Sequence, residues 1–176
     1  MLSFVVEEIP EGGLEWTGEM PPEWVDPLLG PQFHRDGHPL MLSLMVQRRN
    51  HNVVVRGHLT GMLAFTCSRC AGEAAHGVDI VFTHVFVARS HHLALPDDFD
   101  NPADAEFTFF EGRKVEVEPL VSEEFVLSMP WFPICRDGCR GLCPRCGQNL
   151  NEGNCTCDAD VVDPRWMPLK DLKLPR

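Results

Sequence analysis

Three stretches of the chain alternate or run apolar in the way a strand does. Leu40 to Gln47 is apolar with weak alternation. Asn52 to Thr66 carries the β-branched run Val53, Val54, Val55, then Leu59, Leu63 and Phe65. His76 to Ala88 sets Val78, Ile80 and Phe82 against Asp79, Val81 and Thr83. A period of two residues predicts half-buried strands. Gly57, Gly61 and Gly77 suit bulges, bends or turns. Together these predict an antiparallel sheet curled into a barrel or sandwich. One stretch has a helical period. In Val117 to Met129, Pro119 suits a first turn, Leu120, Val121, Phe125 and Val126 share one side, and Pro130 ends the helix.

The rest is less regular. The first forty residues hold Pro10, Pro21, Pro22, Pro27 and Pro31 among several glycines, which favours extended pieces or loops over helix. Trp16 and Trp24 in this region are expected to pack onto something. Residues 90–112, SHHLALPDDFDNPADAEFTFFEG, read as a mobile acidic loop with Phe99, Phe107, Phe109 and Phe110 as anchors. The expected fold class is α+β, mostly β, with one short helix and a C-terminal zinc-knuckle segment. Residues 1–134 would form the β-rich domain, and 135–176 the cysteine-rich segment and tail.

Composition narrows the class. Of 176 residues, 44% are apolar and 23% charged, as in an ordinary globular protein rather than a disordered one. No apolar run is long enough for a membrane span. The start, MLSFVVEEIPEGG, has acid where a signal peptide needs base. A cytoplasmic location is expected. The net charge of −11 is concentrated in residues 1–40 and 96–130, while residues 41–95 are mildly basic. Such a chain repels phosphate and attracts a basic partner, although the same charge also serves solubility.

Eight cysteines in a reducing compartment point to metal rather than disulfides. They fall into four close pairs: Cys67 and Cys70, Cys135 and Cys139, Cys143 and Cys146, and Cys155 and Cys157. Structural zinc takes four such ligands, so eight make two closed sites and two zinc ions per chain. CPRCG is a knuckle, in which the glycine after the second cysteine permits a positive φ. CSRCAG at 67–72 has the same form with Gly72 one place later. Two pairings are open. One joins Cys143, Cys146, Cys155 and Cys157 locally and Cys67, Cys70, Cys135 and Cys139 across 64 residues. The other makes a local site of Cys135, Cys139, Cys143 and Cys146. Loop-closure cost grows slowly with length, which favours the first.

No metalloprotease, nucleophile-elbow, P-loop or dinucleotide motif appears, and the eight histidines read as surface or part-buried. A thiol-redox or hydrolytic enzyme is the least supported class, since no βαβ context surrounds either CxxC. Arg136, Arg140, Arg145 and Arg165, with Trp166, are candidate RNA contacts, because knuckles with exposed Arg and aromatic groups clamp or stack nucleotides. The bland reading pairs these arginines with Asp137, Asp158, Asp160 and Asp163.

The run CRDGCRGLCPRCGQNLNEGNCTC, followed by DPRWMPLKDL, resembles the C-terminal signature of the YceD family (DUF177) of large ribosomal RNA subunit accumulation proteins. The upstream CSRC and VEPLVSEEFVLSMPWFPIC match its middle portion in order and spacing, from about Cys67 to Leu172. The resemblance implies a bacterial cytoplasmic, non-enzymatic factor for accumulation of 23S rRNA and large-subunit assembly. Relatives are often encoded beside a small basic large-subunit protein, which makes a basic ribosomal protein, or the precursor particle, the expected partner. Direct contact with 23S rRNA is the alternative. Some members keep only the CxRC pair, which also favours the first pairing.

Overall fold

The computed structural model describes residues 2–89, 106–157 and 165. Most of the chain folds around one sheet of six strands. Its elements are β1 (Ser3–Val5), β2 (Leu14–Met20), α1 (Pro22–Val25), β3 (Phe33–His34), β4 (Leu40–Arg49) and β5 (Asn52–Thr66). They continue with β6 (Glu73–Ala88), β7 (Glu106–Phe110), β8 (Lys114–Glu116) and α2 (Glu118–Ser128).

The main sheet runs β2–β4–β5–β6–β7, with β3 on the far half of β5. It is mostly sheet with few short helices, as expected, and it is curled and open: β2 and β7 do not meet. Asn50, at φ 55, closes β4 onto β5 through a two-residue loop, so that Arg49 faces Asn52. β5 and β6 pair from Val53↔Phe86 to Thr66↔Glu73, so the strand begins three residues before the expected His76. Gly57 sits opposite Phe82, whose ring occupies the space a Cβ would need.

Alternation places Leu40, Leu42, Leu44 and Val46 of β4 in the core with Val53, Val55, Leu59 and Leu63 of β5. From β6 the core takes Val78 and Phe82, while Val81 is 75% exposed. α2 closes this face through Leu120, Val121 and Phe125. Val126, expected on the same side, is exposed because the helix turns it past the sheet. Trp24 stacks on Phe125 at 5.7 Å and its Nε1 donates to Ser122 Oγ at 3.0 Å, so this tryptophan anchors the irregular start. That start forms strands and loops, as expected, plus the short helix α1 and 3-10 turns at Val6–Glu8 and Asp26–Leu28.

Two further features differ from the expectation. Residues 106–110 of the expected loop form β7, which pairs with β6 in parallel. The run EFTFF does not by itself report a pairing direction, and a parallel pair needs a long crossover. Residues 90–105 of the expected loop lie outside the described residues. His84 is buried and bonded to Thr108 Oγ1 at 3.0 Å, where a surface or part-buried histidine was expected. No helix among the described residues is long and apolar enough to cross a membrane.

Candidate metal centres

The turn between β5 and β6 is itself the first knuckle. Where Thr66 faces Glu73, the ladder is continued by Cys67 N donating to Gly72 O at 2.9 Å. Ala71 N donates back to Cys67 O at 2.9 Å. The second knuckle repeats both bonds: Cys143 N to Gln148 O at 2.8 Å, and Gly147 N to Cys143 O at 2.9 Å. The backbone after the second cysteine is left-handed in both, with φ 74 at Gly147 and φ 53 at Ala71. The first knuckle therefore does not use Gly72 for this turn; a residue with a Cβ takes it.

Around these turns the sulfurs gather in two groups of four. Cys67, Cys70, Cys135 and Cys139 form one, and Cys143, Cys146, Cys155 and Cys157 the other, each with all sulfurs within 4.8 Å of one another. The local set of Cys135, Cys139, Cys143 and Cys146 is not brought together among the described residues. In the first group Cys67 Sγ is 3.9 Å from Cys139 Sγ, and Cys70 Sγ is 3.8 Å from Cys135 Sγ. Four thiolates around a tetrahedral ion at about 2.3 Å define edges of about 3.8 Å. The thiols are free, far beyond disulfide length. Both groups can hold a metal ion.

The first group spans the molecule. Its CxxC is a hairpin turn, and its CxxxC follows α2 at the end of the Pro130–Ile134 stretch. Ser68 N donates to Pro133 O at 2.9 Å, and Cys135 N points at Cys67 Sγ at 3.4 Å. The two groups also touch through backbone. Leu142 N donates to Arg69 O at 3.0 Å, and Leu150 N to Gly141 O at 2.9 Å. Arg69 Nη1 donates to Cys139 O at 3.2 Å. Asn151 reaches from the second group to the first, its Nδ2 donating to Cys139 Sγ at 3.5 Å. Sequence reasoning missed Asn151 and Arg69. GQNLNEGN reads only as a tight turn, and nothing local marks one asparagine as a partner of a distant sulfur.

The thiols ionise unequally. Burial raises Cys67, but the N–H groups of Cys135, Cys70 and Arg69 outweigh it and hold the thiol at about 6. The N–H groups of Cys146 and Arg145 hold Cys143 at about 6 as well. Burial and the neighbouring thiols push Cys135 up to about 12, and the thiol of Cys146 with burial does the same to Cys157. Four close sulfurs cannot all carry charge unaided. A divalent cation at the centre removes that conflict and lets all four ionise.

The candidate RNA contacts are scattered in fate. Arg136 Nη2 donates to Asn151 Oδ1 at 3.2 Å, and Arg140 Nη2 to Asn154 Oδ1 at 3.0 Å. Neither pairs with Asp137. The Arg145 side chain is exposed in the second knuckle, without a polar partner among the described residues. Arg165 is exposed, while Trp166, Asp158, Asp160 and Asp163 lie outside the described residues. Neither CxxC opens a helix, so the redox-motif context is absent from the described residues.

Comparison with known proteins adds the lineage. An uncharacterized protein of Mycobacterium leprae is 30% identical over 144 residues, 79% of this chain and 61% of its own length. An uncharacterized protein of Mycobacterium tuberculosis is 27% identical over 140 residues, 77% of this chain and 63% of its own. The chloroplastic large ribosomal RNA subunit accumulation protein YCED homolog 1 of Arabidopsis thaliana is 23% identical over 159 residues, 78% of this chain and 50% of its own. The chain thus spans between half and two thirds of the length of these relatives. No solved structure matches it. The family model described as large ribosomal RNA subunit accumulation protein YceD matches residues 55–173, which takes in both knuckles, α2 and the tail, and the chain belongs to that family.

Proposed function

We propose that this protein is a non-enzymatic, zinc-stabilised factor for accumulation of large-subunit ribosomal RNA. Its site of action would be the cytoplasm, in large-subunit assembly. The observation that carries the reading is the family match over residues 55–173, supported by the names of the plant relatives. Cys67, Cys70, Cys135 and Cys139 would hold one zinc, and Cys143, Cys146, Cys155 and Cys157 the other. The sulfur separations of 3.8 and 3.9 Å suit that ion. Four cysteines leave no open position, so the metal's contribution is to fold. Residues 135–176 depend on it as a cysteine-rich segment with few apolar groups of their own.

The favoured partner is a basic large-subunit ribosomal protein, alone or on the precursor particle. The chain's charge of −11 supports this, and each filled zinc site adds about −2 more. Exposed Arg145 favours a second reading, direct contact with 23S rRNA, in which Arg136, Arg140, Arg165 and Trp166 would share.

One variant separates the two. Neutralising Asp97, Asp98, Asp100 and Asp104 to Asn should weaken capture of the ribosomal protein and flatten its salt dependence. The same change should strengthen capture of rRNA. The assay is affinity capture from cells at low and high salt, with proteins and RNA both identified. Tighter rRNA capture with the protein interaction untouched would replace the first reading with the second.

A further inference from the structure

Two grooves lie where α1, the segment after it and α2 meet. One, of about 600 Å³, is lined by Trp16, Trp24 and Leu28 together with Glu19, Glu23 and Glu118. The other, of about 430 Å³, is lined by Leu28, Phe33, Val126, Trp131 and Phe132, with no charged side chain. Leu28 belongs to both, so they form one surface. No Lys or Arg lines either.

Apolar exposure here is unusual. Trp131 is 91% exposed and Phe132 78%, and Leu127 of α2 is 73% exposed. Neighbouring bare aromatics of this size are the anchors that protein interfaces bury. The carboxylates here are Glu19, Glu23 and Glu118 on the first groove and Glu123 and Glu124 on α2. Glu118 is bonded to Leu2 N, and the nearby cation Arg35, which also feels Glu23, is paired with Asp26. A phosphate backbone would be repelled, while a lysine or arginine is drawn in.

We infer that this surface is the docking site for a segment of a basic protein in which Lys or Arg alternates with apolar side chains. Trp131 and Phe132 grip the apolar groups, and the carboxylates of Glu19 and Glu23 meet the cations. This rests on the basic-partner reading and gives it a location. It does not use the acidic residues 97–104.

The test is a titration of the full-length, zinc-loaded chain with a fluorescein-labelled peptide of alternating Lys and Leu carrying one Trp. A control peptide has Glu for Lys. The wild type should bind the Lys peptide at least about tenfold more tightly than the control. The double variant Trp131→Ala/Phe132→Ala should weaken it by about tenfold or more. Its zinc content and circular dichroism should be unchanged, since both side chains are outside the core. Glu19→Gln/Glu23→Gln should weaken binding at low salt and flatten the salt dependence. Equal binding by the Trp131→Ala/Phe132→Ala variant overturns the inference, and so does no binding by the wild type. A single-stranded RNA oligomer whose binding is lost in that variant replaces the basic protein with RNA. Tenfold tighter binding in Trp166→Ala makes the chain's own tail the occupant. If that double variant still captures a basic large-subunit protein from cells, the groove assignment fails while the proposed function stands. If the wild type captures none, the proposed function fails and the peptide titration still decides the groove.

Discussion

Ala71 occupies a backbone position that glycine fills in the second knuckle. Its φ of 53 lies in the left-handed region, where a Cβ crowds the following carbonyl at a cost of roughly 1–2 kcal/mol. The bonds on either side, Ala71 N to Cys67 O and Cys67 N to Gly72 O, hold it there. Ala71→Gly should therefore stabilise the fold by about 1 kcal/mol, less the added freedom of the unfolded chain. Gly147→Ala should destabilise the second knuckle by a similar amount. Denaturant unfolding of the metal-loaded chain, with zinc retention against a chelator, measures both. Unchanged stability in Ala71→Gly would mean that the metal, and not the backbone, sets that turn. CSRCAG next to CPRCG leads one to expect the glycine to do the same work in each. The structure keeps the conformation and changes the residue, because the hydrogen-bond ring fixes the position four residues after the first cysteine.

At the scale of elements, the chain start and α2 cap each other. Leu2 O accepts from Val117 N at 3.0 Å and from Glu118 N at 3.2 Å, and Leu2 N donates to Glu118 Oε2 at 2.7 Å. β1 and β8 carry the contact on, from Ser3↔Glu116 to Val5↔Lys114. The Leu2 N–H holds the Glu118 carboxyl below its usual 4.5. A lowered carboxyl stabilises the fold above its unfolded value, and that stability is lost as pH falls through the folded value. Wild type should exceed Glu118→Gln by about 1 kcal/mol at neutral pH. The gap should narrow steadily below the ordinary carboxylate range. Unfolding free energies of the two chains across acid pH check this, and a gap independent of pH would remove the charge from the account. Nothing in MLSFVVEE marks it as a helix cap, since the partner is 116 residues away.

The whole molecule is clasped by the first cysteine group, which ties the β5–β6 turn to the segment after α2. Cys67→Ser should lower metal content by one ion and lower the melting temperature of the entire chain. Cys155→Ser should also remove one ion, but leave the sheet folded and the core transition nearly in place. Elemental analysis with thermal unfolding distinguishes them. Unchanged metal content in Cys67→Ser would break this assignment. If both groups hold an ion as proposed, its removal with a strong chelator should unfold at least the C-terminal segment, because binding there would be coupled to folding. Less than about one zinc per chain, in protein made with zinc present, would refute the two-ion count.

What the sequence determined by itself is whatever depends on near neighbours. The strands of residues 40–88 follow from a two-residue period, and the helix from apolar spacing ended by Pro130. The four cysteine pairs are legible from their spacing, and two of them are knuckles closed by bonds within six residues. Tertiary structure alone decided which pairs meet, since both pairings satisfy the same local geometry and differ only in a 64-residue closure. It also decided that β7 runs parallel, because pairing direction is a property of two strands and not of one. Asn151 became a partner of Cys139 only when the second knuckle folded against the first. Only the tertiary structure placed Trp131 and Phe132 on the surface, since no local pattern marks either as exposed.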